Sequence, residues 1–226
     1  LVLPDHAAPA QRSNAELMSA PVDAQLVFKR RGVRVVLGLA SDENAQQMQS
    51  GLGHESQAIG WLDALPLGAT LVDVDVGAGA GFHAAYAAVA RKATVHAIQA
   101  DAQSRAALTA NAAANQVANQ ITVFPLALID GTHGLCIDQL VAAGSIPQPR
   151  FMRLDAADRG SEILRGATSA LSSPRFASLL VKCGDDAAGR TQTIQWLGTL
   201  GLLPDDKLGG GQQGNAASSE GPYITF

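Results

Sequence analysis

Aromatic side chains are scarce in this sequence, at 4% of its residues. A core short of rings must be filled by Ala, Val and Leu, and a hydrophobic content of 47% supplies them. Such packing suits parallel strands covered by Ala-rich helices. Cysteine is equally sparse. Cys136 and Cys183 give no disulfide framework, and their apolar, strand-like contexts read as two small core residues. No apolar run reaches the roughly 18–20 residues of a membrane span. Charge of neither sign dominates: 16 basic against 20 acidic residues leave a net charge of −4. No Lys/Arg stripe appears, so a nucleic-acid partner is not expected. Arg30-Arg31 and Arg91-Lys92 are isolated pairs that read as solvated turn residues. The five histidines, His6, His54, His83, His96 and His133, lack metal-ligand spacing, and no Ser or Cys sits in a nucleophile elbow. Neither a metal nor a catalytic triad is therefore expected. No signal-peptide pattern opens at Leu1. The expectations are a cytoplasmic location by default and a chain that is processed or part of something longer.

What is present is a regular alternation. At 226 residues the chain fits one large α/β domain. Residues 1–23, with Pro4, Pro9 and Pro21, read as an extended arm. Residues 24–226 read as a single domain, 24–66 holding a hairpin and helices and 67–226 the core. Two β-rich runs flank Arg30-Arg31-Gly32 as a hairpin. Ser41-Asp42-Glu43 opens a polar helix, and Glu55 to Leu65 forms a second one with Trp61 on its apolar face. From Leu71 onward strands alternate with helices: strands at 71–76, 94–98, 121–128, 151–155, 177–183 and 223–226, helices at 81–91, 101–115, 137–143, 162–171 and 191–200. Trp196, on the last helix, reads like Trp61 as a core residue. This order predicts βαβ units and a doubly wound, mostly parallel sheet of about seven strands.

The segment from Val72 to Phe82 carries the most chemistry. An apolar strand runs into Gly77, Gly79 and Gly81, and a helix follows. Glycines there let a backbone approach a ligand, and the helix start offers unpaired N–H groups. The spacing is G-x-G-x-G, and Asp75 precedes the first glycine by two residues. A carboxylate in that place suits a ligand with a cationic amino-acid end and repels a phosphate. That favours S-adenosylmethionine (SAM) over a nicotinamide dinucleotide, whose expected acid after the next strand is here the neutral Gln99. Asp101, two residues on, is close to the same site but fits better as the cap of the next helix. His83 opens the helix after the turn, more in keeping with a surface or helix-start residue than with a ligand. His54 and His133 lie in segments that reach the rim of such a site.

From here the sequence resembles the FkbM methyltransferase family over about residues 60–203. Asp75-Val-Gly-Ala-Gly-Ala-Gly-Phe82 resembles the family's D-V-G-A-N-x-G-F/Y. Leu108-Thr-Ala-Asn111 with Asn115 resembles L-x-x-N-x-x-x-N. Cys136-Ile-Asp-Gln-Leu140 resembles T-L-D-E-L, Ile146 to Asp155 resembles P-x-x-I-K-I-D, and Ile163 to Ala167 resembles V-L-R-G-A. Ser178-Leu-Leu-Val181 matches the final core strand. The resemblance implies a Rossmann-like fold, SAM as methyl donor and O-methylation of a hydroxyl, often on a sugar. Carried over by position, Asp75, Gly77, Ala78, Gly79 and Gly81 line the SAM site, with Gln99 and Asp101 near the ribose. Asp155 stands where a base is expected, with Glu162 behind it.

The departures fall on acidic positions. After the fourth core strand the family reads D-V-E/D-G-x-E, where this chain has Asp155-Ala-Ala-Asp-Arg-Gly160. Its second acid is Ala157, its glycine is Asp158 and its last acid is Gly160. The acid after the second strand is Gln99, and the usual Glu on the fifth is Lys182. Two readings follow. One is an active methyltransferase with a small-molecule or glycan acceptor. The other is an inactive methyltransferase fold serving as a structural or partner-binding subunit of a larger assembly.

Overall fold

The computed structural model describes residues 24–39, 56–75, 80–125, 135–156, 159–183, 187–205 and 223–226. The expected arm (1–23), the polar helix after Ser41, His54, His133, Gly77-Ala78-Gly79 and Ala157-Asp158 all lie outside them. The hairpin is β1 (Ala24–Arg30) and β2 (Val33–Leu39), joined by Arg31-Gly32 at φ 48° and 80°. Two left-handed residues make the turn whose twist matches paired strands. The core then alternates: α1 (Ser56–Ala64), β3 (Thr70–Asp75), α2 (Phe82–Arg91), β4 (Thr94–Ile98), α3 (Ala102–Ala114), β5 (Ile121–Phe124), α4 (Ile137–Ala142), β6 (Phe151–Asp155), α5 (Gly160–Arg165), α6 (Thr168–Leu171), β7 (Ser178–Lys182), α7 (Ala187–Thr199) and β8 (Tyr223–Thr225). Among the described residues the main sheet has six strands, ordered β5-β4-β3-β6-β7-β8, with β8 antiparallel, and the hairpin is separate from it. The helix expected over 162–171 is two short helices, interrupted at Gly166-Ala167.

Alternation along each strand splits the core in two. Leu71, Val95, Phe151 and Leu180 face one side and pack with α1, α2, α3 and the hairpin residues Val35 and Leu37. Val72, Val74, Met152, Leu154 and Val181 face the other and pack with α4 to α7. Cys136 and Cys183 are buried free thiols. Trp61 is fully buried and donates to the Ser178 hydroxyl at 2.9 Å. Trp196 is only half-buried, with the Arg165 guanidinium over its ring at 5.5 Å. Its helix buries only Leu197, so the ring lies at the edge of the core.

The arginine pairs are not free turn residues. Arg30 and Arg31 reach Asp63 at 3.1 and 3.5 Å, and Asp63 also accepts from the Tyr86 hydroxyl at 2.6 Å. Burial and that hydrogen bond push the Tyr86 phenol up to about 12. Arg91 donates to the Leu65 carbonyl at 2.6 Å. Phe28 of β1 meets Phe82 and Tyr86 edge-on at 5.0 and 5.8 Å. The few rings are thus concentrated where the hairpin seats on α2.

The two asparagines of the L-x-x-N-x-x-x-N match serve the same docking. Asn111 and Asn115 lie one turn apart on α3 and face the free edge of β2. The Asn115 side chain accepts from Val36 N at 2.8 Å and donates to Val36 O at 2.6 Å. Asn111 accepts from Gly38 N at 2.7 Å and donates to Ala80 O at 2.8 Å. Two amides thereby imitate a neighbouring strand and satisfy alternate backbone groups of β2. Asn115→Ala leaves a part-buried donor and acceptor unmatched, an expected loss of about 1–3 kcal/mol. Hydrogen exchange should then show the Val36 amide losing protection while amides of β3 keep theirs.

Candidate functional site

The chain builds β3, β4 and β5 outward in one direction, then crosses back to lay β6 and β7 on the other side of β3. The switch point between β3 and β6 opens a crevice at the carboxyl ends of the strands, where open α/β sheets bind ligands. Register brings Asp75 opposite Asp155 there, and Asp73 opposite Arg153 two residues below. The row of Asp75 and Asp155 continues through Lys182 of β7 to Tyr223 of β8.

Arg153 is the hub of this row. It is 1% exposed. Its Nη1 lies 2.7 Å from Asp73 Oδ1 and 3.7 Å from Asp75 Oδ2, and its Nη2 lies 3.1 Å from Asp155 Oδ2. Lys182 Nζ stands 3.5 Å from the same Asp155 oxygen and 5.6 Å from the centre of the Tyr223 ring. Burial alone would favour a neutral Arg153, but Asp73, Tyr223, Asp75 and Asp155 outweigh it and hold the guanidinium charged. Burial raises the Asp75 carboxyl above the usual range; Arg153 opposes this, Asp73 and Asp155 add to it, and His83 opposes it.

The glycine-rich turn is described at its far end. Gly81 has φ 73° and precedes α2 without a side-chain cap. A Cβ there would lie 2.2 Å from Leu108 Cδ1 and 2.8 Å from its Cβ. Glycine is therefore demanded twice, by backbone sign and by the close passage of α3. His83, on the first turn of α2, is buried at 8% exposure and not a surface residue. Its ring stacks edge-on against Phe82 at 5.2 Å because the hairpin covers that end of the helix.

The other predicted residues are engaged within the protein. Gln99 is buried at the end of β4, and its Oε1 accepts from Asp101 N at 3.3 Å. Asp101 caps α3, accepting from Ser104 N at 2.6 Å, and that backbone N–H holds its carboxyl below the usual range. Glu162 lies apart from the Arg153 array. It forms an ion pair with Arg159 at 3.1 Å, with both side chains 42% exposed. Asp75, Asp155 and Gly81 are thus gathered at the switch point, whereas Glu162 is not.

Sequence reasoning missed Arg153 and Asp73. The signal was the repeated period of two, Asp73-Val-Asp75 and Arg153-Leu-Asp155, which puts each pair on one face of a strand. Only the register reveals that the faces meet. Among the described residues no three His, Cys, Asp or Glu side chains are grouped to hold a metal ion. No helix there is long and apolar enough to cross a membrane.

No protein-family model matches the chain, and no curated protein matches it. Solved structures do share its architecture. A SAM-dependent methyltransferase from Agrobacterium tumefaciens aligns with a TM-score of 0.52 at 11% identity, covering 80% of this chain and 59% of that one. Precorrin-6y C5,15-methyltransferase from Geobacter metallireducens GS-15 aligns at 0.47 and 14% identity, over 67% of this chain and 73% of its own. M. jannaschii TYW2, in complex with AdoMet, aligns at 0.47 and 11%, over 90% and 84%. At these identities what is shared is the fold: a Rossmann-like α/β domain of the methyltransferase type.

Proposed function

We propose that this domain binds SAM at the β3–β6 switch point and acts as an FkbM-like methyltransferase on a hydroxyl, with a sugar or other small molecule as acceptor. The observation that carries the reading is the placement of Asp75 and Asp155 side by side at that crevice, next to an uncapped helix start behind Gly81. The residues present fit the ligand. A buried carboxyl matches a cationic amino-acid end. SAM, when bound, supplies an electrophilic methyl group. Asp75 would hold its amino-acid end. Asp155 takes the acceptor's hydroxyl proton, and Arg153 and Lys182 hold its Oδ2 in place. Alignment of donor and acceptor supplies most of the rate in such a displacement.

A second reading has its own observation. Asp155 is already matched by two cations, Gln99 is turned onto Asp101 N, and Glu162 is tied to Arg159. A fold whose acids are absorbed internally serves as a partner-binding or structural subunit. Calorimetric titration with SAM and S-adenosylhomocysteine separates the two. Micromolar binding is expected, weakened at least about tenfold in Asp75→Ala, the worth of one charge-assisted hydrogen bond. No binding up to millimolar ligand would sink the enzyme reading and leave the subunit reading.

A further inference from the structure

The hairpin has two edges, and the protein treats them differently. Its turn, Arg31-Gly32, is closed by Arg30 opposite Val33. At a two-residue turn the closing pair exchanges both backbone hydrogen bonds, and bonded pairs recur at every second residue. Phe28 and Leu26 therefore point their N–H and C=O groups at β2, whereas Gln25, Val27 and Lys29 point theirs outward. The same alternation turns Val36 and Gly38 outward from β2, and there the Asn115 and Asn111 side chains meet them. Among the described residues, nothing meets the outward groups of β1. The side chains agree. Gln25, Val27 and Lys29 are exposed, Val27 at 39%. On the inner face Val35 and Leu37 of β2 are fully buried, but Phe28 and Leu26 opposite them are only half-buried. The apolar face of the hairpin thus runs past what α2 covers. An edge this bare, with Lys29 its one charge before the turn, is a template for another strand.

We propose that this edge takes a second copy of the chain: β1 pairs antiparallel with the copy's β1 across a two-fold axis at Val27, and the two hairpins become one four-stranded sheet. The register follows from the strand itself. With the axis at Val27, Gln25 lies opposite the copy's Lys29, and Lys29 opposite its Gln25. Every outward-facing residue then meets another outward-facing one, and each opposed pair exchanges both hydrogen bonds. Sliding the axis to Leu26 or Phe28 loses a pair, and sliding it to Lys29 sets like charges against each other. Charge favours the antiparallel sense, which sends Arg30, Arg31 and Arg34 of the two copies to opposite ends. The two Lys29 residues stand four positions apart along the sheet, about 14 Å, which exceeds the screening length of about 8 Å at physiological salt. In the same register Leu26 meets the copy's Phe28 on the half-buried face, an aliphatic–aromatic cross-strand pair. A contact of this symmetry closes on itself, so it makes dimers and not filaments.

The test is the mass of the full chain by sedimentation from about 1 μM to about 1 mM, the range expected of so small a contact. The mass should rise from that of one chain to that of two. Hydrogen exchange at the high end should protect the amides of Gln25, Val27 and Lys29. That protection should vanish on dilution, while Leu26 and Phe28 stay protected throughout. Val27→Pro removes the N–H on the axis from both chains and touches no bond to β2. It should weaken the dimer about hundredfold, tenfold for each lost bond, and keep the Leu26 and Phe28 protection. Val27→Lys and Val27→Glu need no proline. Each alone opposes like charges at the axis and should weaken the dimer, and their equimolar mixture should restore it. A single-chain mass at the highest concentration, or Val27 protection that ignores concentration, would overturn the proposal. So would a dimer that survives Val27→Pro, or a mixture no tighter than its components.

Discussion

Arg153→Met is expected to destabilise the domain by roughly 3–5 kcal/mol, the cost of removing one partner from a buried ion pair. Asp73 is the reason. It is 4% exposed and sits 2.7 Å from the guanidinium, so the substitution strands a carboxylate in the core of the sheet. Asp155 suffers less, because Lys182 remains 3.5 Å away and that end of β6 is partly open to solvent. Arg153→Lys should fall between, since one ammonium cannot span two carboxylates as the fork of Nη1 and Nη2 does. The double variant Asp73→Leu/Arg153→Met should regain most of the loss, because replacing both partners by apolar groups removes the desolvation penalty with the pair. Urea unfolding of the four proteins, read at constant m-value, checks this. If Arg153→Met lowers stability by less than about 1 kcal/mol, the array is not a structural element.

The parts of this molecule that were legible in the sequence depend on local period. Strands reading apolar from Leu71 and Phe151, and helices of Ala at 82–91 and 102–114, announce themselves because burial repeats every two or 3.6 residues. The hairpin was equally plain, since two β-rich runs flank the short break at Arg30-Arg31-Gly32. What stayed hidden depends on contacts between distant segments. Nothing local distinguishes Arg153 from a surface arginine; its meaning arises when β3 and β6 pair in one register out of several. Asn111 and Asn115 looked like landmarks of a family motif, yet their hydrogen bonds go to β2, more than seventy residues earlier. Arg30 read as a solvated turn residue because its partner Asp63 lies on another element. The same limit governs the site. Asp75 could be placed by its spacing from the glycines, whereas its neighbours could not.

Gly81→Ala is expected to cost about 2–5 kcal/mol. Two effects add: a left-handed alanine is strained by roughly 1–2 kcal/mol, and the new methyl overlaps Leu108, where overpacking typically costs 1–3 kcal/mol. The two can be separated. Trimming the neighbour in Gly81→Ala/Leu108→Ala removes the overlap and leaves the backbone strain, so the double variant should lose less than the sum of the single losses. Gly60 is the control. It lies inside α1 with nothing within 4 Å of an added Cβ, so Gly60→Ala should stabilise by about 0.5–1 kcal/mol through helix propensity. Thermal unfolding of the four variants checks the contrast. A loss at Gly81 no larger than the backbone strain alone would mean that α3 can move away from the turn. That movement would also shift Asn111, whose side chain donates to Ala80 O and joins the hairpin at Gly38. A loss confined to Gly81 means instead that α3, the hairpin and the start of α2 are set by one close contact.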